Sequence, residues 1–284
     1  ESGFPSLIVI RYCFNVYPCY FEVPKITHLY RMSPSLRNLN MLRHTITLIL
    51  IFLFTLTLSA QENQGPYYLS WKRDVPYSVG AVGLTVMGQV LRDRAPDITL
   101  EDLELPNIPS FDRIATRFSS NTARKASDYT LYAGTAMPLL LLGGKETRRD
   151  FGKIAIMYGE VVLINLGLTD IIKSSALRPR PYVFDENLPP ETVLSNGDRA
   201  AFLSGHTSGT ASGSFFFARV FSDYYPNSKL KPYVWGAAIA LPALSGYLRI
   251  RAGRHYPSDV VAGYALGALV GYFIPVLHKK LRKR

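Results

Sequence analysis

The sequence predicts an all-α protein, a bundle of roughly six helices that is embedded in a membrane. Hydrophobic residues make up 48% of the 284 residues and charged residues only 19%, while the mean hydropathy is +0.07. Apolar segments must therefore alternate with strongly polar loops. None of the apolar runs shows a convincing strand pattern. Several runs are shorter than the roughly 20 residues that a membrane span needs, so a soluble bundle is the alternative.

Six apolar runs are the predicted helices. Two polar segments between them, residues 92–127 and 179–200, are predicted loops, the first with one or two short helices. In the last helix Gly263, Gly267 and Gly271 recur at every fourth residue, a spacing typical of closely packed helices in membranes and in soluble proteins alike. The six helices are expected over residues 75–91, 129–142, 151–175, 206–221, 232–248 and 259–277.

Residues 41–60 (MLRHTITLILIFLFTLTLSA) have the three-part pattern of a secretory signal peptide. Arg43 is followed by an apolar run, and Ser59-Ala60 supplies the small residues that precede a cleavage site. We expect cleavage after Ala60, with an uncleaved anchor as the alternative. Because no segment belongs ahead of a signal peptide, residues 1–40 are interpreted as a non-native upstream extension.

The remaining chain is divided into a leader, first helix and loop over residues 61–127 and a helical core over residues 128–284. Both cysteines, Cys13 and Cys19, lie in the upstream extension. The mature chain is therefore expected to have no disulfide framework and no thiol chemistry.

The formal net charge is +11, and part of it lies in the C-terminal sequence HKKLRKR. A charge of this sign fits a nucleic acid, an anionic membrane or a pocket for an anionic substrate. The polar stretches described next favour the pocket, and we expect no nucleic-acid partner. The tail is interpreted either as a basic membrane anchor on the cytoplasmic side or as a solvated end.

Three short stretches hold most of the unusual polar residues, and each lies at a predicted helix end. They are residues 173–181 (KSSALRPRP), 203–208 (LSGHTS) and 248–259 (LRIRAGRHYPSD).

Two of the three histidines that follow residue 60 lie in these stretches, His206 and His255. Histidine titrates near neutral pH, so it can act as a nucleophile or as a proton donor. Asp259 follows His255 by four residues, and on one helical turn its carboxylate would accept a hydrogen bond from the ring and orient it. Pro257 is suited to the first position of that helix. The third histidine, His278, is expected to be structural.

The same stretches supply groups that can hold an anion. Ser204 and Gly205 open a helix whose first amides can bind negative oxygens. Lys173, Arg180 and Arg249 bring positive charge from three separate segments, as a phosphoryl group requires. Arg178, Arg251 and Arg254 stay open between a solvated or membrane-flanking position and a place in the pocket. Glu160 and Asp170 are expected to face either a partner or the pocket, and they are assigned no role.

Together the three stretches resemble the signature of the type-2 phosphatidic-acid-phosphatase superfamily. This superfamily comprises membrane lipid phosphatases, soluble bacterial acid phosphatases, glucose-6-phosphatase and vanadium haloperoxidases. Its pattern is lysine, six residues and Arg-Pro; then Pro-Ser-Gly-His; then Ser-Arg, five residues, His, three residues and Asp. Leu203 replaces the proline of the second part and Leu248 the serine of the third, and neither position transfers a proton. The matching residues are Lys173, Arg180, Pro181, Ser204, Gly205, His206, Arg249, His255 and Asp259.

The resemblance implies a reaction and a role for each residue. His255 would attack phosphorus and form a phosphohistidine, Asp259 would orient His255, and His206 would protonate the leaving alcohol. The phosphoryl oxygens would be held by Lys173, Arg180, Arg249, Ser204 and the Gly205 amide. No metal or other cofactor is expected, although vanadate can occupy such a pocket as a phosphate mimic.

The function expected from these residues is hydrolysis of phosphate esters in the bacterial cell envelope. The first hypothesis is a lipid phosphatase of the inner membrane with a periplasm-facing site, acting on undecaprenyl pyrophosphate, phosphatidate-type lipids or lipid A. The second is a soluble periplasmic acid phosphatase of broad specificity. A vanadate-dependent haloperoxidase and a non-enzymatic membrane binding or transport protein are further alternatives. The expected partners are therefore the phosphorylated substrate and the membrane.

Overall fold

A computed structural model describes residues 65–98, 108–184 and 195–280. In these ranges there is no strand, apart from an isolated bridge between Tyr67 and Lys279, so the predicted all-helical fold is confirmed there. The predictions for residues 1–60 lie outside the described residues. The α-helices are α1 (Trp71–Asp93), α2 (Asn121–Ala136), the short α3 (Lys145–Arg149), α4 (Phe151–Ala176), α5 (Gly205–Tyr224), α6 (Lys231–Arg251) and α7 (Pro257–Leu277). Short 3-10 segments cover Arg113–Arg117, Met137–Gly143, Pro181–Phe184 and Asn196–Arg199.

The second helix differs most from its prediction. It begins at Asn121, inside the predicted loop, because the Ser120 side chain caps it by accepting a hydrogen bond from the Ala123 amide. Because the residues at the start of this helix are mostly polar, an apolar pattern does not identify them as helical. After Ala136 the chain tightens into a 3-10 helix that contains Pro138, which has no amide hydrogen to continue an α-helical ladder.

Helix α5 lies at the centre of the bundle and packs against α2, α4, α6 and α7, while α1 packs against α4. The predicted close approach of α7 is confirmed at its three spaced glycines, which face α5. A Cβ atom on Gly267 would lie 2.1 Å from the Ser208 carbonyl oxygen, so no other residue fits there without moving a helix.

Alternating helix directions define two ends of the bundle. At one end, named the site end, the Ser204 amide donates to the Asp259 carbonyl and the Ser120 amide donates to the Arg251 carbonyl. At the other, named the far end, the chain before α1 meets the chain after α7, where the Tyr68 amide donates to the His278 carbonyl. The far end also holds the main apolar cluster: Tyr67, Leu141, Ile154, Met157, Val161, Phe216, Phe217 and Val220.

His278 is completely buried at the far end, as expected for a structural histidine. Its Nε2 atom lies 3.2 Å from a Glu160 carboxylate oxygen and 3.4 Å from one of Asp74. The Ser78 hydroxyl donates to the second Glu160 oxygen. These side chains come from α1, α4 and the end of α7, so Glu160 and His278 lie in a buried polar cluster away from the site end. Within the described residues, His278 Nε2 and the nearer Glu160 oxygen lie close together without a hydrogen bond.

Two helical segments in the described part of the chain are long and apolar enough to cross a membrane, by length and composition alone. They are Phe151–Phe184, with a mean hydropathy of 1.6, and Pro257–Leu277, with a mean hydropathy of 2.0. Only 28% of the second window is buried within the protein, so much of its apolar surface faces outward. Other large apolar side chains also point outward, among them Leu139, Leu140, Leu166, Leu244 and Leu269.

Candidate active site

The three predicted stretches meet at the site end around one cavity of about 460 Å³. The cavity is bounded by the end of α4, the start of α5, the end of α6 and the loop before α7. Ser204 and Asp259 are fully buried and lie outside the lining. The other six predicted residues line the cavity: Lys173, Arg180, Gly205, His206, Arg249 and His255.

His255 lies in the turn between α6 and α7 with 1% of its surface exposed. Its Nδ1 atom is 2.7 Å from the Ala201 carbonyl oxygen, so Nδ1 carries the proton and Nε2 keeps a free lone pair. Burial, together with the positive charges of Lys173 and Arg180, holds the pKa of His255 well below its ordinary value. The ring is therefore neutral at physiological pH, which is the form of histidine that can attack phosphorus.

Asp259 does not form the direct hydrogen bond to His255 that the sequence predicted. Its Oδ2 atom lies 3.7 Å from Nδ1 and accepts the Tyr256 amide at 2.8 Å instead. The reason is that α7 begins at Pro257, so His255 precedes the helix and does not lie one regular turn from Asp259. The Ala201 carbonyl fixes the tautomer of the ring, and the carboxylate adds negative charge close behind it.

His206 lies in the first turn of α5 and lines the cavity. Its ring contacts a carboxylate on α2. Its Nε2 atom is 2.8 Å from Asp128 Oδ1. Burial and the charge of Arg249 lower the pKa of His206 to about 4, while Asp128 acts in the opposite direction. Because Nε2 is bonded to Asp128, Nδ1 is the atom that can reach a bound substrate.

The three cations are held by neutral oxygen atoms. Lys173 Nζ donates to the Ala200 carbonyl at 2.6 Å, and Arg180 Nε donates to the Gly197 carbonyl at 2.9 Å. Arg249 Nη1 donates to the Ser127 hydroxyl at 3.3 Å, and its buried Nε atom has no partner. In the part of the chain that the structure describes, none of the three forms an ion pair with a carboxylate. Their charge is therefore available to an anion with several oxygens.

The start of α5 adds backbone donors to this positive field. The helix opens at Ser204 and Gly205 as the sequence predicted, with Ser204 as the N-cap residue, and the Ser204 hydroxyl accepts a hydrogen bond from the Thr207 amide. This bond fixes the first turn, so the amide of Gly205 lies at the positive end of a helix of 20 residues. A Cβ atom on Gly205 would lie 3.7 Å from Lys173 Cε, which shows how close the two elements come.

Arg178 is a residue whose role the sequence left open. Its guanidinium bridges two buried carboxylates, with Nη1 at 2.5 Å from Asp259 and Nη2 at 2.7 Å from Asp112. It also lies over the Tyr256 ring, 3.9 Å from the centroid. Asp112 in turn accepts the amide of Ser258 at 3.0 Å in the first turn of α7. Arg178 thus links the loop after α4 to the helix that carries Asp259.

Two further contacts involve charged residues near the cavity. Asp170, to which the sequence assigned no role, pairs with Arg92 at 2.8 Å, and this arginine lines the cavity. Arg254 lies over the Tyr182 ring, 4.3 Å from its centroid, and its carbonyl accepts a hydrogen bond from Arg180. Across residues 65–98, 108–184 and 195–280, no three His, Cys, Asp or Glu side chains are grouped so that they could hold a metal ion.

Comparison with known families supports the resemblance seen in the sequence. The family model described as the PAP2 superfamily matches residues 154–283, which contain all three stretches. The lipid A 4'-phosphatase of Porphyromonas gingivalis is 29% identical over 139 residues, 46% of this chain and 56% of that protein. The lipid A 1-phosphatase of Rhizobium johnstonii is 34% identical over 116 residues, 40% of this chain and 43% of that protein. The chain thus spans about half the length of these curated relatives.

Two solved structures are also similar to this chain. One is the transmembrane PAP2 type phosphatidylglycerolphosphate phosphatase from Bacillus subtilis, with 17% identity and a TM-score of 0.40 over 84% of this chain and 98% of that one. The other is LpxE from Aquifex aeolicus, with 24% identity and a TM-score of 0.39 over 57% of this chain and 90% of that one.

The bridge made by Arg178 leads to a prediction about stability. Replacing Arg178 by methionine leaves Asp112 and Asp259 buried without a counter-charge, and we expect a loss of about 3 kcal/mol, as for a buried ion pair that loses one partner. Thermal unfolding in detergent measures the change. The control is Arg92→Met, which removes a more exposed ion pair and should cost less than about 1 kcal/mol. Equal melting temperatures for the two variants would show that Arg178 does not balance the buried carboxylates.

Proposed function

Because residues 154–283 belong to the PAP2 superfamily, we propose that this protein is a phosphatase that removes phosphate from lipids through a phosphohistidine intermediate. One observation carries the proposal. A single cavity brings a neutral buried histidine, a second histidine and three uncompensated cations together, and it continues into an apolar groove. The relatives named lipid A phosphatases support this substrate class.

The reaction follows from the arrangement of the two histidines. Nε2 of His255 attacks phosphorus, so a P–N bond forms while the P–O bond to the lipid alcohol breaks. His206 gives its Nδ1 proton to the departing oxygen, and a neutral alcohol leaves. In the second step water attacks the phosphohistidine, His206 takes up a proton from that water, and the P–N bond breaks to release phosphate.

Charge development in both steps is met by groups that are already in place. The equatorial oxygens of the phosphoryl group would lie among Lys173, Arg180 and Arg249, with the Gly205 amide as a further donor. Because neighbouring carbonyl and hydroxyl oxygens already position these side chains, little reorganisation is needed when the charge moves. The three cations would supply the positive charge without a metal ion.

A groove that leads away from the cations favours a lipid over a small soluble ester. The cavity extends along α5 between α2 and α4, where Leu131, Val162 and Leu166 line it. Leu166 is 45% exposed and Tyr132 is 64% exposed, so the groove opens toward the side of the bundle. An apolar tail in this groove would keep its phosphate in the cavity while the rest of the molecule stays in the bilayer.

The first prediction concerns the nucleophile. Purified protein in detergent with EDTA should release phosphate from lipid A, phosphatidate or undecaprenyl pyrophosphate faster than from a soluble aryl phosphate. His255→Ala should lose this activity by at least about 10³-fold and still bind phosphate, because the three cations remain. Phosphate release is measured colorimetrically, with Tyr233→Ala, an exposed far-end change, as the control.

Each other outcome has a separate meaning. Full activity of His255→Ala would show that this histidine is not the nucleophile. Faster release from the soluble aryl phosphate would favour a broad-specificity acid phosphatase. Loss of activity with EDTA would show that a metal ion takes part.

A second prediction tests the groove. Replacing Leu166 by tryptophan narrows the groove from its exposed side, and we expect kcat/KM for a lipid phosphate to fall at least about tenfold. Hydrolysis of the soluble aryl phosphate, which has no tail to place, should change less than about twofold. The matched control is Leu244→Trp, an exposed leucine on α6 that does not line the cavity. A parallel fall for both substrates would place the lipid tail elsewhere.

The proposed location is the inner membrane of the bacterial cell envelope, with the site end facing the periplasm. Cytoplasmic loops are enriched in lysine and arginine, but basic residues lie at both ends of this bundle, so the orientation is tested by labelling and not by the distribution of charge. Those at the far end include Lys145, Arg148, Arg149, Lys229, Lys231, Lys279 and Lys280, and those at the site end outside the cavity lining include Arg113, Arg117, Arg124, Lys125, Arg251 and Arg254.

Cysteine labelling tests this orientation, because Cys13 and Cys19 are the only native cysteines and can be replaced by serine. Thr122→Cys at the site end should react with a membrane-impermeant maleimide in spheroplasts, and Asn227→Cys at the far end should react only after lysis. The reverse pattern would place the site in the cytoplasm. Reaction of both before lysis would indicate a periplasmic bundle that does not span the membrane.

A further inference from the structure

Asp128 is a carboxylate that contacts His206 from outside the cavity lining, belongs to none of the three polar stretches and lies before residues 154–283, the part matched by the family model. It is located on α2, and its Oδ1 atom is 2.8 Å from Nε2 of His206. About a third of the Asp128 side chain is exposed and about a quarter of the His206 side chain, so both are partly shielded from water.

The position of Asp128 is fixed by its neighbours on the same helix. Ser127 accepts a hydrogen bond from Arg249 at 3.3 Å, which ties α2 to α6. The Thr130 carbonyl lies 3.5 Å from the Thr210 hydroxyl, one turn further along α5 than His206. The helix is thus held on both sides of Asp128, and the carboxylate reaches His206 without a change of the backbone.

The surroundings of His206 show why a carboxylate matters here. Apart from Asp128, which lies beside His206 and outside the lining, the charged or titratable groups around the cavity come from α2, α4, the loop after α4, α6, the loop before α7 and the rim. They are Tyr132, Lys173, Arg180, Arg249, His255 and the rim pair Arg92 and Asp170. Most of these groups are positive, so they oppose a proton on the His206 ring.

We propose that Asp128 is a positioning residue that fixes the His206 ring through Nε2 and keeps a proton on Nδ1 for the leaving group. The inference rests on the proposed phosphatase function, in which His206 acts as the general acid. It adds a fourth segment of the chain, α2, to the three that the sequence identified.

The proton balance is the same as in the proposed reaction. The negative charge of a bound phosphate ester opposes the nearby cations and favours the protonated ring, so before attack His206 carries protons on both nitrogens and its Nε2–H donates to the Asp128 carboxylate. The Nδ1 proton goes to the departing oxygen as the P–O bond breaks, and the neutral ring keeps Nε2–H bonded to Asp128. Nδ1 then accepts the proton of the attacking water, which restores the starting state.

The test uses two substrates that differ in their need for a proton. An alkyl phosphate leaves as an alcohol and requires protonation, whereas a nitrophenyl phosphate with an alkyl chain leaves as a stable phenolate. For Asp128→Asn we expect kcat/KM on the alkyl phosphate, which reports the steps up to departure of the alcohol and not the later hydrolysis of the phosphohistidine, to fall about 10 to 100-fold, a part of the usual general-acid contribution. On the nitrophenyl ester the fall should be less than about threefold.

The pH dependence of activity distinguishes a positioning role of Asp128 from a purely structural one, because loss of a structural contact would not shift the pH profile. Asp128 raises the pKa of His206, and activity on the alkyl phosphate requires the protonated ring. Removal of the carboxylate lowers this pKa, so the decline of activity with rising pH should shift to lower pH in Asp128→Asn. His206→Ala should show the same substrate pattern with a larger loss, and the double variant should be no slower than His206→Ala.

The control is Tyr129→Ala, which changes the exposed neighbour of Asp128 on α2 and should leave both rates unchanged. An equal loss on both substrates, an unshifted pH profile or additive losses in the double variant would overturn the role of Asp128. If the wild-type protein hydrolyses neither substrate, the proposed function itself fails and this inference fails with it. An active wild type with an unaffected Asp128→Asn variant overturns only the inference.

Discussion

The site depends on three cations that form no ion pair with a carboxylate of the described residues. Lys173, Arg180 and Arg249 come from three parts of the described chain and are held by carbonyl and hydroxyl oxygens rather than by acids. This arrangement explains the state of His255, because the nearby cations and burial keep its ring neutral. The same charge that would bind a phosphoryl group thus prepares the nucleophile that attacks it. Oxygens of a bound phosphoryl group would supply the negative charge that balances these three cations.

Acidic residues near the site are arranged around this field and do not cancel it. Arg178 bridges Asp112 and Asp259, so these two buried carboxylates are balanced outside the cavity and still secure the start of α7. Asp170 pairs with Arg92 at the rim. Among the carboxylates of the described residues, Asp128 is the one within hydrogen-bond distance of a group with a proposed proton-transfer role. The distribution separates positions that hold the structure from positions that affect the reaction.

Short-range sequence patterns predicted much of this site, and long-range contacts limited the rest. Three features depend only on neighbouring residues, so each is visible within its own short stretch of sequence. They are the spacing of Lys173 and Arg180, the cap at Ser204 and the helix start at Pro257. Six predicted residues line one cavity. Asp128 and the Ala201 carbonyl reach the histidines from distant segments, and no local pattern marks a partner of this kind. The expected hydrogen bond between His255 and Asp259 is absent for a related reason. The prediction placed His255 within the helix, whereas the helix begins two residues after it, at Pro257.

The contact between the two ends of the described chain restricts how the protein can be placed in an envelope. The Tyr68 amide donates to the His278 carbonyl, so the chain reaches α1 and leaves α7 on the same side of the bundle, opposite to the site. In an embedded bundle, a site that faces the periplasm therefore requires residue 65 to lie on the cytoplasmic side. A signal peptide over residues 41–60 that is cleaved after translocation would instead deliver that residue to the periplasmic side. An embedded bundle with a periplasmic site is therefore incompatible with that cleaved signal peptide. A cleaved signal peptide and a periplasmic site can occur together only if the whole bundle crosses the membrane and lies in the periplasm.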